Sequence, residues 1–415
     1  MSTLQLKSRS YLWLRISIIN LLIVSLLGVT LRYKIAFSLK FVDQKYLLHG
    51  HSHFAFAGWV TQALMALLVL HLSKRFANDM FKRYNWVLLL NLLSAYGMLI
   101  SFPIQGYAFF SILFSVISII ASYIFSFMYW RDLKKSEPHP SKMWFRAALI
   151  FNVISSAGAF SLAGMMATHS VNQHLYLSSV YYFLHFQYNG WFFFAIFGLF
   201  CGTFVRMGIS PATMKKIFLI FVSACVPAYF LSVLWLPLPL ILYIIIVVAA
   251  IAQVIAWFWL VKLIIPRLSY FKIEFVALAR WLFGLSAIAL TIKLLLQAGS
   301  VIPALSKLSY SFRPIIIGYL HLILLGIITI FLLGYFVHKR LFHMSKLLFA
   351  GIILFTLGII LNELLLMIQG IEGMNYTGIP YINIYLFAAA LIIFFGLLFI
   401  NITIKRPSES NSLAE

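Results

Sequence analysis

Apolar residues run along this chain in long unbroken stretches separated by short polar segments. Stretches of roughly 18 residues or more recur from end to end, and each is long enough as a helix to cross a bilayer. The pattern predicts twelve spans, near 11–31, 48–72, 85–103, 106–130, 144–168, 176–204, 214–234, 237–264, 275–297, 312–337, 346–368 and 381–402. Pro103 with Gly106, and the segment Leu236-Pro-Leu-Pro239, mark two tight hairpins. The expected fold class is an all-α polytopic membrane protein. It is read as a single transmembrane domain over residues 1–405, followed by a disordered cytoplasmic tail at 406–415.

Composition strengthens this picture. Of 415 residues, 63% are hydrophobic and only 10% charged, too few charges to solvate the surface of a soluble domain. The net charge of +22 sits in short Lys/Arg blocks between apolar runs, which speaks for topology signals and against a nucleic-acid partner. All but seven of the 31 Lys and Arg residues fall in the N-terminal segment or around the loops after even-numbered spans. The exceptions are Arg32, Lys34, Lys40, Lys45, Lys307, Arg313 and Lys293. Both termini are therefore expected in the cytoplasm, with the bacterial inner membrane as the expected setting. The N-terminus (Lys7, Arg9, then apolar residues) has the outline of a signal peptide without a small-residue cleavage site, and is read as a retained first helix. Cys201 and Cys225 lie far apart in apolar runs, which excludes a disulfide scaffold and a CxxCH haem attachment.

The candidate chemistry is carried by histidines. Span two opens with LLHGHSHFAFAGW, placing His49, His51 and His53 at the edge of an apolar run, where ionisable groups are costly. His49 and His53 are four residues apart and share a helical face, whereas His51 points about 200° away from His49. The element His53-x4-Gly58-Trp59 recurs on span six as His185-x4-Gly190-Trp191, and more thinly on span ten as His321-x4-Gly326. The copies lie 132 and 136 residues apart, close to a third of the chain. Three four-helix units, at about 1–135, 136–270 and 271–405, explain that period. Each histidine is expected about 5 to 10 residues, or roughly 8 to 15 Å, inside the outer surface.

Neutral imidazole binds transition metals and serves as an axial ligand to haem iron. The glycines below each histidine admit either a flat macrocycle or a neighbouring helix. The alternative for the histidines is a satisfied polar group bridging helices. Trp59 and Trp191 either wall a cofactor pocket or pack in the core. Arg32 is read as an interfacial anchor or a clamp for haem propionates. Glu363 and Lys293 are read as a structural ion pair, with a proton relay or cofactor contact as the alternative. His169 and His174 are read as interfacial, and His71, His139, His338 and His343 as solvated residues beside cytoplasmic basic loops.

The pattern His51-x-His53-x4-Gly58-Trp59 resembles the histidine-bearing helices of subunit I of the haem–copper oxidases, including the cbb3-type oxidases and nitric-oxide reductases. That resemblance implies twelve helices in three arcs of four. It implies a haem held by His53 (or His49) and His321, with His185 at the position of a copper ligand. It further implies an oxidoreductase working in electron transfer or the reduction of oxygen or nitric oxide, with a cytochrome or other electron-donor subunit as partner. Two features depart from the family pattern. The segment Phe218–Trp235 contains no histidine where a copper-binding pair is expected, and span ten carries one histidine instead of two. The chain also resembles the twelve-span membrane proteins containing haem and copper that are associated with nitric-oxide stress. A non-catalytic haem- or metal-handling protein is therefore kept beside the oxidase reading, and a secondary transporter stands third, since its repeats would span half the chain.

Overall fold

A computed structural model describes residues 3–168, 170, 172–306, 312–375 and 377–405. His169, Lys307 and the tail 406–415 lie outside the described residues. The chain is 86% helical, with no strand among the described residues. Among the described residues twelve helices are long and apolar enough to cross a membrane. They are α1 (Arg9–Phe37), α2 (Gln44–Arg75), α3 (Phe81–Gln105), α4 (Phe109–Lys135), α5 (Ser141–Ala167), α6 (Gln173–Arg206), α7 (Pro211–Val233), α8 (Leu240–Glu274), α9 (Ala277–Gly299), α10 (Arg313–His338), α11 (Lys346–Asn375) and α12 (Ile382–Ile402). The protein is an all-α multi-pass membrane protein. Along the helices, large apolar side chains such as Leu93, Phe127, Ile255 and Ile402 are exposed, as expected of a surface whose solvent is lipid.

Local sequence sets the helix ends. The Asp43 carboxylate accepts from Tyr46 N at 2.8 Å to start α2, and Asn172 accepts from Leu175 N at 3.0 Å to start α6. Ser210 followed by Pro211 starts α7, fixing the first turn's φ while Ser210 Oγ accepts from Thr213 N. At the first hairpin, Pro103 remains inside the last turn of α3, and Gly106 ends the helix at φ +61°, a conformation glycine adopts without steric cost.

Two compact units divide the chain. One comprises residues 1–136 and 332–415, the other residues 137–331. The first of the three repeat-like units ends at this boundary, whereas the third is shared: 271–331 packs in the second compact unit and 332–405 in the first. In the first unit, α11 and α12 pack backbone to backbone through glycines. A Cβ built on Gly396 would stand 2.5 Å from Phe355 N and 2.9 Å from Gly351 O. In the second unit, α5 meets the first half of α6 the same way, with Gly158 against Ser179 O. Both are the small-residue contacts that let membrane helices approach closely.

Helices α2 and α6 are the most enclosed, with 78% and 89% of their apolar windows buried, against 44% or less for every other span. These are the helices carrying His53 and His185. Helix α10, which carries His321, is only 33% buried, so the third copy of the motif sits in a more open setting.

Candidate functional site

Among the described residues three helices carry a π-helical segment, and each does so immediately after a motif histidine. π-Helical segments run over Phe54–Thr61 after His53, Phe186–Phe192 after His185 and Leu322–Thr329 after His321. A π turn accommodates an extra residue and disturbs the regular carbonyl ladder, and such turns concentrate at functional sites. The recurrence gives the His-x4-Gly repeat a common backbone form, which apolar periodicity alone does not show.

Carbonyls in each π segment take a donor from another helix. In α2, Asn20 Nδ2 of α1 donates to Gly58 O at 2.6 Å, and Asn91 Nδ2 of α3 donates to Ala57 O at 3.1 Å. Asn91 also donates to Gln62 Oε1 at 2.7 Å, while Tyr96 OH donates to Asn20 Oδ1 at 2.9 Å. In α6, the Cys225 thiol of α7 donates to Asn189 O at 3.7 Å. In α10, Ser286 Oγ of α9 donates to Ile327 O at 2.9 Å. Buried backbone oxygens require such partners, and more so where no water is available.

The histidines of α2 divide as the helical wheel requires. His49 and His53 face Phe102 of α3 and Tyr107 beyond it. The His53 ring stacks on Phe102 at 4.4 Å, and its Nε2 lies 3.0 Å from Tyr107 OH. The His49 ring meets Tyr107 edge-on at 4.6 Å, and its Nε2 is buried without a hydrogen-bond partner among the described residues. His51 turns the other way, to α1. Its Nδ1 lies 3.1 Å from Val24 O, beside Gly28 and within electrostatic reach of Arg32. A carbonyl only accepts, so Nδ1 carries the proton and Nε2 is the basic nitrogen. Arg32 is also the charge that faces Glu363 of α11, whose Oε1 accepts from Asn362 Nδ2 at 3.1 Å.

His185 is 1% exposed and engaged at both nitrogens. Its Nε2 donates to Cys225 O at 2.8 Å, and its Nδ1 accepts from Asn189 Nδ2 at 3.1 Å. This is the satisfied form of a buried histidine. His321 is half-buried at the last α-turn before its π segment. Within the first unit Glu363 lies within electrostatic reach of Arg32, and within the second Lys293 Nζ donates to Gln297 Oε1.

The repeated glycines serve packing. A Cβ on Gly58 would meet the Phe54 ring at 2.6 Å, and one on Gly190 would meet Phe151 at 2.5 Å. Gly326 is looser, with Ala289 Cβ at 3.3 Å. The neighbour is another helix at Gly190 (Phe151 of α5) and Gly326 (Ala289 of α9), whereas at Gly58 it is a side chain of α2 itself. Trp59 and Trp191 are both buried, with Trp59 edge-on to Phe336 at 6.2 Å. Among the described residues no three His, Cys, Asp or Glu side chains are grouped to hold a metal ion.

Sequence reasoning missed Asn20, Asn91, Tyr96 and Tyr107. The available signal was a polar residue inside an apolar run, which Asn20 and Asn91 both are. No protein-family model matches the chain, and none of the curated proteins compared with it matches either.

Proposed function

We propose that this chain is an integral membrane haem protein of the haem–copper oxidase subunit I type, acting in electron transfer or in the reduction of oxygen or nitric oxide. The observation that carries the reading is the orientation of His51. An imidazole whose Nδ1–H is held by a backbone carbonyl presents Nε2 in a fixed direction, as metal-bound histidines do. Arg32 beside it supplies a cation of the kind that pairs with a propionate. The residues on α1 and α2 thus fit one side of a haem, which when bound supplies one-electron chemistry at iron. In this reading Val24 O orients the ligand, Arg32 neutralises the acid group, and the enclosed walls of α2 exclude water.

The ligand moves from His53, which the motif favours, to His51, because His53 is stacked on Phe102 and bonded to Tyr107. Copper fits less well. His185, at the position of a copper ligand, has both nitrogens in hydrogen bonds, and no three-ligand group exists among the described residues. The same facts favour a second reading, in which the chain handles haem or responds to nitric oxide without turnover. Under either reading the Lys/Arg distribution supports cytoplasmic termini in a bacterial inner membrane, and a cytochrome or other donor subunit would deliver electrons.

The test is the absorption spectrum of protein purified from cells supplied with ample haem. A Soret band is expected in the wild type, lost in His51→Ala and kept in His185→Ala. Absence of the band in folded wild type, or an unchanged band in His51→Ala, refutes the assignment. Consumption of oxygen or nitric oxide with a chemical donor then separates the two readings.

A further inference from the structure

The second compact unit buries a lysine side chain that forms no ion pair among the described residues. Lys293, in the last third of α9, is 5% exposed. The only carboxylates in residues 137–331 are Glu137 and Glu274, and Glu274 pairs with Arg206 at the ends of α8 and α6. No ion pair among the described residues includes Lys293. A lone ammonium in an apolar medium is costly unless it is paired.

The groups around Lys293 do not supply the missing charge. Cys225 and His185 are within electrostatic reach. The Cys225 sulfur donates to Asn189 O, so it is a thiol and not a thiolate. His185 donates from Nε2 and accepts at Nδ1, so it is neutral. What remains is a train of donors running one way. Lys293 Nζ donates to Gln297 Oε1, and Gln297 Nε2 donates to Gln253 Oε1 at 2.7 Å. Because Gln253 Oε1 accepts this bond, its Nε2 amide hydrogens are turned away from Gln297. Gln297 and Gln253 are themselves buried, at 7% and 6% exposure.

We propose that Lys293, Gln297 and Gln253 form a binding site for a small monovalent anion in the interior of the second unit. Lys293 supplies the charge, with two N–H bonds beyond the one given to Gln297, and Gln253 supplies amide hydrogens. A single negative charge neutralises the site, whereas a divalent anion would leave the interior charged again. A weakly hydrated anion of the nitrate or nitrite type sheds water at the least cost.

Nitrate is the probe. The wild-type protein in detergent is heated in increasing sodium nitrate, with ionic strength held constant by sodium gluconate, and unfolding is followed by tryptophan fluorescence. The site predicts a saturable rise in Tm of a few degrees, because a ligand bound only by the folded state stabilises it by mass action. Lys293→Met abolishes the saturable rise. Gln253→Leu, which keeps the charge, shifts half-saturation at least about tenfold upward. A linear, unsaturable dependence in the wild type overturns the proposal, as does an unchanged curve in Lys293→Met. If Lys293→Met does not fold, an unshifted curve in Gln253→Leu overturns it by itself.

Discussion

The support of the π segment in α2 by two asparagines gives a quantitative expectation. Asn20 is fully buried and bridges three elements, donating to Gly58 O and accepting from Tyr96 OH. Asn20→Leu, close in volume, removes both interactions at once and orphans a carbonyl and a phenol. An orphaned buried group costs about 1–3 kcal/mol in soluble proteins. Inside membranes such side-chain hydrogen bonds average about 0.6 kcal/mol, with a maximum near 1.7. With two groups affected, the expected loss is about 1–3 kcal/mol. A cycle of Asn20→Leu, Tyr96→Phe and the double variant isolates the Asn20–Tyr96 bond, with an expected coupling of about 0.5–1.5 kcal/mol. Reversible unfolding in mixed micelles, followed by tryptophan fluorescence, provides the free energies. Additivity of the two substitutions to within about 0.3 kcal/mol, the range seen for independent sites, would refute the argument.

Other expectations test the packing and the charge network. Gly396→Ala puts a Cβ 2.5 Å from Phe355 N, so α11 and α12 must part by about 0.9 Å to reach ordinary contact at 3.4 Å. A loss of about 1–3 kcal/mol is expected from such overpacking. Gly284→Ala, where nothing lies within 4 Å of the new carbon, should be neutral or gain up to about 1 kcal/mol from helix propensity, and equal stabilities in the two variants would contradict the close contact. Asp132 is 2% exposed and accepts from Arg83 at 2.8 Å and from Tyr84 OH at 2.7 Å. Asp132→Ala should cost about 1–3 kcal/mol, and Tyr84→Phe less, because Arg83 then keeps its partner; denaturant titration of the two variants checks the order.

The twelve helices were legible because crossing a bilayer demands long apolar runs, and no other constraint writes so plainly in sequence. Position along the helix was also legible: His51 does turn away from His49 and His53, as a period of 3.6 residues requires. What sequence left open was the partner each histidine meets. Val24 and Tyr107 reach the α2 histidines from 27 and 54 residues away, and no local pattern encodes those pairings. The π segments were hidden because one additional residue in a uniformly apolar run leaves the hydropathy profile unchanged. The hydrogen-bond partner of Lys293 was hidden for a related reason. Opposite charges were matched by sign, while the structure meets Lys293 with a glutamine one turn along its own helix.

A π turn stores one residue of slack inside an otherwise rigid rod. Removing one residue from Phe54–Thr61 would let α2 close into uninterrupted α-geometry while the halves above and below keep their bearing, because the π turn already absorbs that residue. His49, His51 and His53 would hold their direction, and the change would fall on the carbonyls of Ala57 and Gly58, which would turn back into the helical ladder and away from Asn91 and Asn20. The extra residue thus serves the contacts between α2 and its neighbours without disturbing the direction of the histidines above it.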